Sequence, residues 1–93
     1  MNLLPAGSVV TLKEATRKIM IIGILISNQD SGDLYDYVGV PYPEGYLNDE
    51  AMFLFMHEDI QKVEFIGFVN SEYQSFRTMV EKQLEARSSD SPI

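Results

Sequence analysis

The sequence predicts a mainly β domain with one C-terminal helix, and three observations carry that reading. Short apolar segments alternate with turn-forming residues over the first two thirds of the chain. Glycines interrupt two of those segments, at Gly23 and Gly67. After Ser71 the apolar period changes from two to the three-and-four spacing of a helix. Five short strands, sharp turns and a final helix favour a strongly bent five-stranded antiparallel sheet, or an SH3-like partly open barrel capped by the helix, over an open α+β sheet. A chain of 93 residues has the size of one domain. Residues 1–88 are therefore read as a single β-rich unit, and 89–93, within SSDSPI, as a disordered tail with nothing to bury.

The first strand lies in Ser8 to Lys13, after the punctuation of Pro5 and Gly7, with Val10 and Leu12 on one face. KIMIIGILIS, from Lys18 to Ser27, is β-rich and apolar on both faces, which makes it the central strand, with Gly23 as a bulge or sharp bend. NQDSGD is loop chemistry, and a third strand runs from Leu34 to about Tyr42. Tyr42-Pro43-Glu44-Gly45 fits a type I β-turn, with proline second and glycine fourth. MFLFM, from Met52, reads as a short buried strand, HEDIQ as a tight polar connection, and KVEFIGFV as a last strand broken by Gly67. The helix spans about 71–87, with Tyr73, Phe76, Val80 and Leu84 as its buried stripe. Ser71 and Gln74 match a capping box, and Asn70 is the competing cap.

Fourteen acidic against seven basic side chains give a net charge of -7, a field that repels nucleic-acid phosphates and anionic lipid headgroups. No nucleic acid partner is expected. Without cysteine there is no disulfide, zinc ribbon or thiol nucleophile, and a reducing compartment fits. The longest apolar run, Ile19 to Ile26, is far below the roughly 20 residues of a spanning helix, so no membrane insertion is expected. The opening MNLLPAGSVV lacks the basic region of a secretory signal, and a cytoplasmic location is the expectation.

His57-Glu58-Asp59 is the one group of residues that suggests catalysis or metal binding. Consecutive side chains diverge on an extended chain, so His57 and Asp59 are read as partners of turn amides, with no metal and no cofactor. A small carboxylate- or metal-dependent hydrolase using His57 and Asp59 is the enzymatic alternative. No nucleophile elbow, G-x-G-x-x-G or P-loop occurs. In the third strand, alternation groups Asp36 with Leu34, Val38 and Val40 and puts Tyr35 and Tyr37 on the other face. An inward Asp36 must find donors, which makes it structural. YDYVGVPYPEGYLNDE holds four of the five tyrosines. Stiff, amphipathic tyrosines suit recognition, so Tyr35, Tyr37, Tyr42, Glu44 and Tyr46 form the expected protein-binding surface, against the alternative that β-propensity alone enriches Tyr35 and Tyr37. Gly7, Gly23, Asp36, Pro43, Gly45, His57, Asp59 and Gly67 are read as structural.

The stretches LPAGSVVTLKEATRKIMIIG, YDYVGVPYPEGYL and FMHEDIQKVEFIGF, in this order and spacing, resemble a small uncharacterised domain family of Gram-positive bacteria encoded beside LXG toxin genes of type VII secretion systems. The resemblance covers about Leu3 to Phe68 and rests on LPxGSVV, YDYVGxxYPEG and HEDIxxVxFxG. It implies a non-enzymatic accessory role, as a cytoplasmic chaperone or targeting partner of an LXG toxin, with an immunity protein as the rival. It carries no catalytic residues over to this chain. Tyr46 to Glu50 spells Y-x-x-x-E, similar to a type VII export signal, but it follows a β-turn instead of flanking a helical hairpin and is read as accidental.

Overall fold

The computed structural model describes residues 3–28 and 30–89; of the expected tail 89–93, Ser89 still belongs to the final helix, and residues 90–93 and the side chain of Leu84 lie outside the described part. The strands are β1 (Val9–Leu12), β2 (Lys18–Ser27), β3 (Leu34–Pro41), β4 (Phe53–Phe55) and β5 (Ile60–Phe65), followed by the helix α1 (Ser71–Ser89). Single 3₁₀ turns occupy Asp49–Ala51 and His57–Asp59. Five antiparallel strands form one sheet in the order β4-β3-β2-β1-β5, so the mainly β fold with one C-terminal helix is as the periodicity predicts. The sheet is not closed into a barrel: β4 and β5 are its two edges.

Those edges are nevertheless joined by only Met56 to Asp59. A connection that includes a 3₁₀ turn, rising ~2 Å per residue, reaches roughly 13 Å from Phe55 to Ile60. The edges of a flat five-stranded sheet lie roughly 19 Å apart. The sheet must therefore curl, which brings β4 and β5 together without pairing them. The bend falls in β2, where the register shifts between Ile21 and Gly23 and a Cβ on Gly23 would overlap Val38. Two residues later Leu25 has φ 58°, a left-handed conformation that costs a leucine roughly 1–2 kcal/mol. It breaks the in-out alternation, so that Ile24 and Leu25, though adjacent, both pack against the core. Nothing in the sequence signals this residue.

The core comprises Leu3, Val10, Ile19, Ile21, Tyr37, Phe55 and Val80, with Leu12 packed against it. Several local expectations are corrected by the structure. The chain reverses over Pro41 to Gly45 around a cis Tyr42–Pro43 peptide, closed by the Gly45 amide donating to the Pro41 carbonyl at 2.7 Å, and not by a four-residue type I turn. Of MFLFM only Phe55 is buried, because β4 is an edge with one neighbour. The last strand starts at Ile60 and stops at Phe65, since Gly67 is drawn off the ladder toward the first strand. Asn70 caps the helix, its Oδ1 accepting from the Tyr73 amide at 3.0 Å, so the cap is the competing residue and not Ser71. The inward stripe is Tyr73, Arg77 and Val80, at i, i+4 and i+7, which rotates Phe76 outward to 41% exposure. No helix among the described residues is long and apolar enough to cross a membrane.

Candidate functional site

Tyr37 points into the core and is completely buried. Its Oη accepts from the Leu4 amide at 3.0 Å and lies 2.7 Å from His57 Nδ1. The phenol oxygen has one proton and two lone pairs, so it serves the amide as an acceptor and still has a bond to exchange with Nδ1, whose direction is set by the imidazole tautomer. Burial pushes the Tyr37 phenol up to about 12, although the Leu4 bond pulls the other way. The backbone amide of His57 donates to Asp36 Oδ2 at 2.8 Å, which satisfies the buried carboxylate. Asp36 and Tyr37 leave β3 on opposite faces, and His57 is tied to both. Asp59 Oδ2 accepts from the Met56 amide at 2.9 Å. Each potentially catalytic side chain of the HED triplet's ends thus has a structural partner. Among the described residues no group of three or more His, Cys, Asp or Glu side chains is placed to hold a metal.

The other motif positions meet in the same way. Gly7, at φ 92°, donates its amide to the Ile21 carbonyl at 2.7 Å. Ser8 is buried and its Oγ accepts from the Gly67 amide at 3.0 Å, while a Cβ on Gly67 would overlap the Ala6 carbonyl oxygen. Tyr73 donates its hydroxyl to the Leu3 carbonyl, so tyrosines from β3 and α1 clip the segment before β1. Gly23 sits at the bend of β2, and Pro43 and Gly45, the latter at φ 80°, shape the reversal after β3.

What remains at the surface is a groove on the outer face of the sheet. Register places Val9 opposite both Met20 and Phe65, so these three side chains form a line across β2, β1 and β5. The Tyr42 amide donates to the Lys18 carbonyl at 3.0 Å, which sets Tyr42 at the end of β2 facing that line. Together they bound a hollow of about 480 Å³ with Lys18 and Glu64 at its rim. A second hollow of about 670 Å³ shares Lys18 and Tyr42 and is lined further by Arg17, Pro43 and Glu44. Tyr42 is therefore the ridge between two adjoining depressions. Glu44 pairs with Arg17. The Glu64 carboxyl is held below its ordinary value by the Thr11 hydroxyl, which donates at 2.8 Å, with Lys62 and Lys18 adding to the effect. Two cations face two carboxylates, so the rim is balanced on a chain of net charge -7.

Of the tyrosines expected at a binding surface, Tyr42 and Tyr46 are exposed and Tyr35 is half-buried, but Tyr37 does not reach the surface at all. Tyr46 is away from the groove lining, its hydroxyl donating to Asp49 Oδ1 at 2.6 Å, a bond that raises its phenol above the ordinary value. Sequence reasoning missed Val9, Met20 and Phe65. Alternation about Val10 marks Val9 as outward, but only the register brings it beside Phe65.

A protein-family model described as a domain of unknown function (DUF4176) matches residues 3–76. No curated protein and no solved structure matches the chain.

Proposed function

Because the chain belongs to that domain family, we propose a reading that joins the resemblance to the groove: a non-enzymatic accessory factor that binds a protein client in the cytoplasm. Following the resemblance, the client is an LXG toxin of a type VII secretion system, and the role is that of a chaperone or targeting partner. The observation that carries the binding half is the groove framed by Tyr42 and Phe65. It is open and apolar with a balanced charged rim, a composition suited to the burial of a client's apolar side chains. The groups that could do chemistry support the same reading, since His57, Asp36 and Asp59 are each committed to an amide or to Tyr37.

The test is capture of the neighbouring toxin by the wild-type protein and by Tyr42→Ala and Phe65→Ser variants, each first verified as folded. A loss of at least about tenfold in capture is expected for each, in line with aromatic anchors of an interface. Undiminished capture by both variants would remove the groove from the reading. Binding to the toxin's N-terminal or central region without inhibition marks a chaperone or targeting partner. Binding to its catalytic domain with loss of toxicity marks an immunity protein instead.

A further inference from the structure

Beyond the groove, the segment from the end of β5 to the start of α1 exposes Phe65, Ile66, Phe68 and Val69 within five consecutive residues. Phe68 is 79% exposed and Phe65 62%. Residues 65–70, FIGFVN, carry no charge. This is not a loose loop. Gly67 at its centre is buried, bonded to Ser8 Oγ and too close to the Ala6 carbonyl to accept a side chain, so Ile66 and Phe68 are displayed outward from a fixed backbone. Such preorganisation lowers the ordering cost of docking.

We propose that this surface is a self-association interface, occupied by the same surface of a second copy in a two-fold dimer. Two features favour a second copy. The first is area: these side chains expose on the order of 500 Å² per chain, so two facing copies bury on the order of 1,000 Å², where specific interfaces begin. The second is charge. Two chains of net charge -7 repel across most of their surfaces, but here the charges are Lys62 and Glu64, which already pair at 3.6 Å and cancel. A two-fold axis makes the contact self-complementary and closed, so it ends at a dimer. The contact is made by side chains and not by strand addition. Pairing with β1 leaves Gln61 and Glu64 as extra residues in β5, and two such irregularities spoil an edge as a template for another strand. Phe65 belongs to this surface and to the groove, so the groove opens at the seam between the copies.

The experiment is sedimentation equilibrium or light-scattering mass across roughly 1 to 200 µM, a range that exposes the concentration dependence of a dimer, at low and high salt, for wild type, Phe68→Asp and Ile66→Asp. Thermal unfolding of each variant verifies the fold; neither residue is buried. A mass that doubles with concentration is expected, with dimerisation strengthened by salt as the repulsion between copies is screened. Either aspartate should weaken it by at least about tenfold. A wild-type mass that stays monomeric throughout overturns the proposal, as does a dimer undiminished in both variants. A monomer whose toxin capture is lost in Phe68→Asp overturns it too and assigns the surface to the client. Since Phe68 does not line the groove, loss of the dimer with Tyr42-dependent capture intact supports self-association without bearing on the client reading.

Discussion

Ionising Tyr37 should destabilise this domain, and the cost follows from where its hydroxyl sits. The folded phenol is pushed up to about 12 from an ordinary value of 10. Below pH 10 both folded and unfolded chains carry the proton, and the stabilisation is complete. Between pH 10 and 12 the unfolded chain releases its proton while the folded chain retains it. The unfolded state then binds fewer protons, so stability falls as pH rises. Two pK units correspond to on the order of 3 kcal/mol, a large share of the ~5–15 kcal/mol that holds a typical domain together.

Tyr37→Phe removes that titration and leaves the Leu4 amide and His57 Nδ1 without their partner. Stranding partly buried polar groups costs about 2 kcal/mol at neutral pH. The assay is the urea midpoint, followed by circular dichroism from about pH 8 to pH 12, for wild type, Tyr37→Phe and Tyr46→Phe. Lysines also titrate in this window, but they are common to all three proteins. Tyr46→Phe controls for the other phenol with a raised value. Over the window wild type should lose on the order of 3 kcal/mol more than Tyr37→Phe. Parallel curves for the two, or a Tyr37→Phe variant as stable as wild type at neutral pH, would refute the reasoning.

The remaining predictions concern the helix and the first strand. Asn70→Ala should cost about 1 kcal/mol in thermal unfolding while Ser71→Ala stays within about 0.5 kcal/mol, because Asn70 alone bonds the Tyr73 amide. Val80→Ala should cost about 2 kcal/mol and Phe76→Ala less than about 1 kcal/mol, a ranking that a buried Phe76 would reverse. Ser8→Ala strands the Gly67 amide and should cost about 1–3 kcal/mol. Hydrogen exchange at Gly67 that stays as slow as in wild type would contradict it.

Much of the fold was legible, and the reasons are local. KIMIIGILIS coincides with β2, the middle strand of the sheet, because a run of β-branched and apolar residues announces a strand by composition, even though only Ile19 and Ile21 of it are buried. Gly23 marked the bend because few other residues tolerate the approach of Val38. The phase of α1 was not legible. Its length offers Tyr73 and Val80 with either Phe76 or Arg77 between them, and the choice was made by Leu3 and the Tyr73 hydroxyl bond, which sequence periodicity does not contain. Likewise LLP reads as punctuation before a strand, whereas Leu3 belongs to the core. The groove was half legible: Tyr42 and Glu44 are among the residues that the sequence marks for a surface, but the apolar companions of Tyr42 are assembled from β1, β2 and β5 by long-range register.

The strand order gives a reason why so many motif residues serve the fold. β4 and β5 are opposite edges joined through one short turn, and a curled open sheet has no ladder to hold those edges in place. His57 supplies the restraint by binding Asp36 through its backbone and Tyr37 through its ring, which ties the turn before β5 to β3. The groove is held differently: Tyr42 bonds the Lys18 carbonyl of β2, Met20 of β2 pairs with Val9 of β1, and Val9 pairs with Phe65 of β5, so its walls are fixed by the ladder itself. A Tyr37 variant is therefore expected to lose stability while its groove keeps its shape, and loss of capture by a Tyr42 variant that keeps the wild-type fold is what reports contact with the proposed client.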